Sequence, residues 1–244
     1  MVSFGTRAHG ASRRREIRAL GMSAHKGEWM ESGDDPLLSP TVFLVEQPAN
    51  STVASHFHRQ NQFQLFVDGA GSVGPKALQP VTIHYAGAYT GYGPLVAGPA
   101  GLKYFTIRPV CESGAIPLDE AREKMIRGPK RHATSAPVAT ATPEELARLD
   151  ATTSFDAIPL AEDGMGARVL AAPPHAQLAT EFPLAARGTF VVVLAGSVVH
   201  ADGESTRWES IFVSSADELP PLRAGRDGAQ LVFLFTPAKA PEYM

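Results

Sequence analysis

His56-Phe57-His58-Arg59-Gln60-Asn61-Gln62-Phe63-Gln64-Leu65-Phe66-Val67-Asp68-Gly69 is the stretch on which the fold turns. It reads His-x-His-x3-Gln-x6-Gly, and it joins an apolar run at 41–46 to a second run at 63–67. On an extended strand alternate residues share a face, so the imidazoles of His56 and His58 project together while Phe57 faces away. Two convergent imidazoles are the beginning of a metal site. Imidazole suits zinc, iron, copper and nickel, and a carboxylate or amide oxygen from a neighbouring strand would supply a further ligand.

The stretch resembles the first motif of the cupin superfamily, Gly-x5-His-x-His-x3,4-Glu-x6-Gly, at His56, His58 and Gly69. Asn50 stands at the opening glycine, and Asn enters left-handed turns more readily than most residues. Gln62 stands at the glutamate, and a neutral amide is a weaker ligand for a hard divalent ion than a carboxylate. The resemblance implies small antiparallel barrels, many with a central metal. The superfamily includes dioxygenases, isomerases, decarboxylases and non-enzymatic binders, so the resemblance speaks to the fold more than to the reaction.

An internal repeat organises the chain. Phe66-Val67-Asp68-Gly69 corresponds to Val193-Leu194-Ala195-Gly196, Pro94-Leu95 to Pro221-Leu222, and the glycines Gly98 and Gly101 to Gly225 and Gly228, all at one offset of 127. Short β-branched or aromatic runs bounded by Gly and Pro fall at 41–46, 63–67, 81–85 and 102–107, and again at 168–171, 189–194, 208–214 and 230–235. Asp202-Gly203 signals a hairpin turn in the second copy. The expected fold is all-β, tandem cupin-like jelly-roll barrels with a short helical linker. The expected boundaries are a partly disordered basic arm at 1–35, a metal-bearing barrel at 36–112, a linker at 113–159 and a degenerate barrel at 160–244.

The arm reading rests on Arg7, Arg13, Arg14, Arg15 and Arg18, which face the single acid Glu16 in the first twenty residues. In the linker, the spacing predicts a helix over 118–127 with Gly128 as its cap, and Thr142-Pro143-Glu144-Glu145 is a capping box opening a helix to about Leu149. The Pro-, Ala- and Thr-rich residues 128–141 read as an exposed connection.

Composition narrows the function classes. A net charge of −3 calls for neither nucleic acid nor an anionic membrane as a partner, and 44% hydrophobic residues over 244 positions can bury a substantial core. Cys111 is the single cysteine, so no intramolecular disulfide exists. Without an apolar span or a signal core, a cytoplasmic setting is expected. Gly69-x-Gly71-x2-Gly74 spells a dinucleotide fingerprint, yet Pro75 and Pro80 leave no room for the helix it needs.

A third imidazole is sought next. Gly93-x5-Pro99-x-Gly101 imitates the second cupin motif and would put Tyr104 in its histidine position, but the copy-two glycines mark that segment as a turn before the last strand. The earlier run carries His84, with Tyr89 and Tyr92 in the loop after it, and their copy-two equivalents are Ile211, Ala216 and Leu219. His84 is therefore expected as a ligand with His56, His58 and, weakly, Gln62. Tyr89 and Tyr92 are expected as catalytic or pocket residues, and Gln64 as a substrate contact. In copy two the ligand positions fall on Pro183, Ala185 and Thr189, with Glu181 the nearest alternative, so one divalent metal per chain is expected. Iron is favoured, with zinc, manganese or nickel as alternatives. The expected function is a mononuclear metal-dependent enzyme acting on a small organic substrate, an oxygenase first; the alternative is a non-catalytic small-molecule- or metal-binding module. A homo-oligomer is left open.

Overall fold

The structure, a computed structural model, describes residues 1–112, 114–178, 183, 185–215, 218 and 220–244, the side chain of Arg122 apart. Glu181, Ala216 and Leu219 lie outside the described residues. In chain order the strands are β1 (Val2–Gly5), β2 (Arg15–Ala19), β3 (Met22–Glu31), β4 (Thr41–Gln47), β5 (Thr52–Val53), β6 (His56–Phe57), β7 (Gln62–Val73), β8 (Lys76–Leu78), β9 (Thr82–Ala86), β10 (Leu95–Arg108), β11 (Ile116–Pro117) and β12 (His132–Thr134). β13 (Thr153–Ile158), β14 (Gly166–Ala172), β15 (Gln177–Leu178), β16 (Thr189–His200), β17 (Gly203–Thr206), β18 (Ser210–Val213) and β19 (Leu222–Phe235) follow.

Two compact units divide the chain. The first comprises residues 8–138 and 239–244, the second residues 1–7 and 139–238. In the first, a nine-stranded sheet runs β12-β9-β7-β10-β4-β3-β2, with β5 on β10 and β8 on β7, while β6 pairs with β11. In the second, an eight-stranded sheet runs β1-β18-β16-β19-β14-β13, with β15 on β19 and β17 on β16. The protein is mostly β, but neither path returns to its first strand, so the closed barrels expected from the sequence are open sheets. In the first unit the β2–β3 hairpin extends the sheet past β4 and β12 extends it past β9, leaving two outer strands that do not pair with each other.

β7 lies between β9 and β10, and its residues 62–67 are buried on both faces, so they read as a continuous rather than an alternating run. β7 and β16 are both 12 residues long and begin 127 positions apart; β10 and β19 are both 14 residues long with the same offset. The motif glycine has a steric cause. Gly69 has φ +77 at a bulge where β7 meets β10, and a Cβ there would lie 2.1 Å from the Gly101 carbonyl oxygen; Gly196 stands in the same relation to Gly228.

Three expectations need correction. Residues 1–35 are not a disordered arm: β1 pairs with β18 in the second unit, and β2 and β3 form a hairpin continuing onto β4 in the first. The arginines meet acids that are distant in sequence, Arg13 with Glu31, Arg14 with Glu46 and Arg15 with Glu28, while Ala24, Trp29 and Met30 of β3 are buried. Exposed pairs contribute about 0–1 kcal/mol each, so strand pairing and burial order the segment. Residues 113–159 are not a free linker either. β12 joins the first sheet beside β9, Val138 is buried, and β13 joins the second sheet.

The helix expected over 118–127 is a 3-10 turn, Leu118–Glu120, running into four α-helical residues, Ala121–Lys124, and the chain is extended by Met125. Gly128 is no cap; a Cβ there would meet the Tyr243 ring. The capping box at Thr142 and Glu145 is formed, and its helix ends at Ala147. No described helix is long and apolar enough to cross a membrane.

Candidate functional site

Backbone pairing assembles the site in the first unit. The His56 N–H donates to the Tyr92 carbonyl (3.1 Å), the Tyr92 N–H donates back to His56 (3.0 Å), and the Tyr89 N–H donates to the His58 carbonyl (2.6 Å). Asn50 has φ +57, the left-handed turn expected where the motif opens. His56 and His58 lie on one side of the strand with ring centroids 5.2 Å apart, while Phe57 packs the other way with Tyr89, Ala121 and Tyr243.

A chain of hydrogen bonds runs through this face. His56 Nδ1 lies 2.8 Å from the Ala54 carbonyl, which can only accept, so Nε2 is the acceptor and takes the Tyr92 hydroxyl proton at 2.8 Å. The Tyr92 oxygen accepts from Gln62 Nε2 at 2.5 Å, and Gln62 Oε1 accepts from Arg108 Nε (3.1 Å) and Nη2 (3.0 Å). Arg108 ends β10, and its Nη1 donates to the Glu112 backbone carbonyl at 3.4 Å. Arg108 Nη2 is 3.1 Å from both ring nitrogens of His58, a placement over the ring rather than along one lone pair. His58 Nδ1 faces the Gly114 carbonyl (3.2 Å) and Glu112 Oε2 (3.4 Å).

Burial sets the charges. It holds His56 down to about 4, helped by His58; it holds His58 down to about 4, helped by Arg108; and it holds His84 down to about 4, helped by His132. All three imidazoles are neutral at pH 7. Burial also lowers Arg108, yet a guanidinium stays charged. Burial would raise Glu112, but the hydrogen bond and charge of His58, the Arg59 N–H and the Arg108 charge outweigh it, and the carboxyl ends below its ordinary range.

A pocket of about 150 Å³ opens over these groups. His56, His58, Tyr92, Gln64 and Arg108 form its polar end, and Phe43, Val45, Val53, Leu20 and Met22 contribute apolar wall. Of the residues predicted from sequence, Gln62 sits behind the wall as the link between Tyr92 and Arg108. His84 is buried with Nδ1 against Thr134 Oγ1 (2.9 Å) and, among the described residues, Nε2 without a partner, its ring 5.5 Å from that of Tyr92. Tyr89 is not at the pocket; it packs on Tyr243 with centroids 4.8 Å apart. Tyr104, set aside as a ligand because its motif match is a turn before the last strand, nevertheless lines the pocket and packs on Phe66 at 5.3 Å.

Arg108 and Glu112 were missed. The alternation Tyr104-x-Thr106-x-Arg108 was the available signal, because it sets these three opposite the core residues Phe105 and Ile107. Thr106 pairs with Gln64, and Gln64 with His84, so all of them share one face of the sheet.

These residues do not fit a divalent metal. Gln62 Oε1, the oxygen a metal would take, already accepts two N–H groups from Arg108, and His56 Nε2 accepts from Tyr92. Among the described residues, no group of three or more His, Cys, Asp or Glu side chains is arranged to hold an ion. A dication within about 4 Å of the fixed guanidinium would meet roughly 8 kcal/mol of repulsion at an effective dielectric of about 20.

No protein-family model matches the chain, and no curated protein matches its sequence. Solved structures do match. A candidate dioxygenase of Nostoc punctiforme is 13% identical, with 96% of this chain and 78% of that one covered and a TM-score of 0.57. The bacterial pirin YhhW of Escherichia coli, in complex with nickel(II), is 14% identical over 98% of this chain and all of its own, with a TM-score of 0.52. Oxalate decarboxylase of Bacillus subtilis is 9% identical over 93% and 75%, with a TM-score of 0.56. The chain has a cupin-superfamily fold.

Proposed function

We propose that the chain is a tandem cupin-fold protein whose first unit binds a small organic molecule in the pocket over Arg108, and whose second unit is a packed scaffold. One observation carries this reading. At the offset of 127, Gln64, His84, Tyr104, Thr106 and Arg108 fall on Val191, Ile211, Leu231, Phe233 and Phe235, all members of the buried apolar cluster of the second unit. The same positions that surround a polar pocket in one unit fill a core in the other. Methyl-labelled protein titrated with a small-molecule library tests it by NMR. Shifts are expected at Leu20, Met22, Val45 and Val53 and not at Val191 or Leu231, and shifts confined to the second unit would overturn the reading.

A mononuclear metal enzyme, an iron-dependent oxygenase first, is the second reading. The neutral imidazoles of His56, His58 and His84 favour it, as does the nickel(II) of YhhW. It requires Arg108 and Tyr92 to release Gln62, His58 and His56. One equivalent of iron, zinc, manganese or nickel retained per chain, and lost in a His56→Ala/His58→Ala double variant, would establish it in place of the first.

A further inference from the structure

We propose that Arg108 is the permanent cation of the site, standing where a metal ion would otherwise supply positive charge, and that the pocket takes a small monocarboxylate with an apolar body. The inference rests on the pocket reading above and names its ligand class. Arg108 is 3% exposed, yet among the described residues no carboxylate lies within 4.0 Å of its guanidinium. Its acceptors are all neutral: the Gln62 amide oxygen, the His58 ring and the Glu112 backbone carbonyl. Buried charges are ordinarily paired, because an isolated one forfeits its hydration without replacement.

Glu112 does not provide that pairing. Its Oε1 accepts from the Arg59 N–H at 2.8 Å and its Oε2 faces His58. Its charge acts on Arg108 only from beyond direct contact, and the guanidinium forms part of the pocket lining, where a ligand carboxylate can reach it. The polar end is incomplete at a second point: Gln64 is 3% exposed and lines the same pocket, and among the described residues its amide oxygen is buried with no hydrogen-bond partner, an acceptor that a water or a ligand donor beside the carboxylate would satisfy.

Size and charge select the class. One guanidinium neutralises one negative charge, whereas a phosphate monoester would bring a second into a site that already holds the Glu112 carboxylate. A cavity of about 150 Å³, walled by Phe43, Val45 and Val53, matches a body the size of a benzene ring. Lys26 also lines the pocket, with its ammonium 3.8 Å over the Phe43 ring, but it is paired with Glu28 at 2.8 Å, which leaves Arg108 as the cation of the lining with no carboxylate in contact among the described residues. Gln62, His58 and the Glu112 carbonyl engage four of the five N–H groups of Arg108, so the guanidinium offers a ligand carboxylate its charge and one remaining Nη1 N–H.

The experiment uses the full chain and matched probes, benzoate and hexanoate against benzamide and hexanamide, with phenyl phosphate as a third arm, followed by calorimetry and by the methyl shifts of Val45 and Val53. The acids are expected to bind at least about tenfold more tightly than the amides, the discrimination one charge-assisted hydrogen bond supplies. Arg108→Met should bring the acid-to-amide ratio to about one, while Arg108→Lys should retain a reduced preference for acids. Should Arg108→Met fail to fold, the wild-type ratio and Arg108→Lys decide the matter. Equal binding of acids and amides at Val45 and Val53 would overturn the anion inference and leave the pocket reading standing. Tighter binding of phenyl phosphate would overturn the carboxylate class. Failure of both acids to shift either methyl group would overturn the inference outright.

Discussion

Mild acid should unfold the first unit, and the cause is three buried histidines. His56, His58 and His84 are each held down to about 4 by burial, against an ordinary value of 6.5. The unfolded chain therefore binds more protons than the folded one below pH 6.5. The stability these groups contribute is complete above that value and is lost as pH falls through about 4. Each shift of about 2.5 units corresponds to roughly 3 kcal/mol. Three such groups approach about 10 kcal/mol, and a domain has only about 5–15 kcal/mol to lose. Glu31, Glu46 and Glu112 have lowered pKa values and also lose stability in acid, but at pH values below the histidine range, so roughly pH 6.5 to 4.5 isolates the imidazoles. Urea unfolding measured across that window should give a slope rising towards about 4 kcal/mol per pH unit, and His84→Leu should flatten it by about a third. Imidazole proton resonances followed in the folded protein supply the direct check. Any of the three rings titrating near its ordinary value, or a stability that stays level across the window, would refute the reasoning.

Two substitutions test the geometry. Tyr92→Phe removes the hydroxyl that donates to His56 Nε2 and accepts from Gln62 Nε2, leaving two buried polar atoms unpaired; a loss of about 2–4 kcal/mol in denaturant unfolding is expected, and a loss under about 1 would show that the hydroxyl is not the link. Gly69→Ala puts a Cβ 2.1 Å from the Gly101 oxygen at φ +77 and should cost at least about 2 kcal/mol, whereas Gly74→Ala, with its nearest atom at 3.4 Å and φ +53, should cost about 1 by thermal melting.

Sequence reasoning found the frame because the frame is local. Strand runs and turn glycines depend on residues a few positions apart, and β7 and β16, like β10 and β19, begin 127 positions apart. The Thr142 capping box is local in the same sense and is formed. The N-terminal segment was misread for the opposite reason: Arg13, Arg14 and Arg15 find their acids 13–32 residues away across strands whose pairing the charge pattern does not announce. The shared face of His56 and His58 follows from strand alternation, whereas the identity of what they face does not.

Arg108 shows why that identity was hidden. An arginine at the end of an apolar strand is ordinarily read as the point where the chain regains solvent, since long charged side chains are seldom fully buried. Here alternation carries it inward instead, onto the face of Tyr104 and Thr106, where Gln62 and His58 hold it. The residue 127 positions on is Phe235, which is buried in the apolar cluster of the second unit. Replacing a phenyl group by a guanidinium at one register position obliges the neighbours to change as well. A buried cation needs acceptors, which Gln62 and the His58 ring supply, and Gln62 in turn needs the Tyr92 hydroxyl, which needs His56 Nε2. The polar face of the first unit is thus a linked set, and a glutamine where the cupin motif has glutamate belongs to it: a carboxylate at that position would neutralise Arg108 from within.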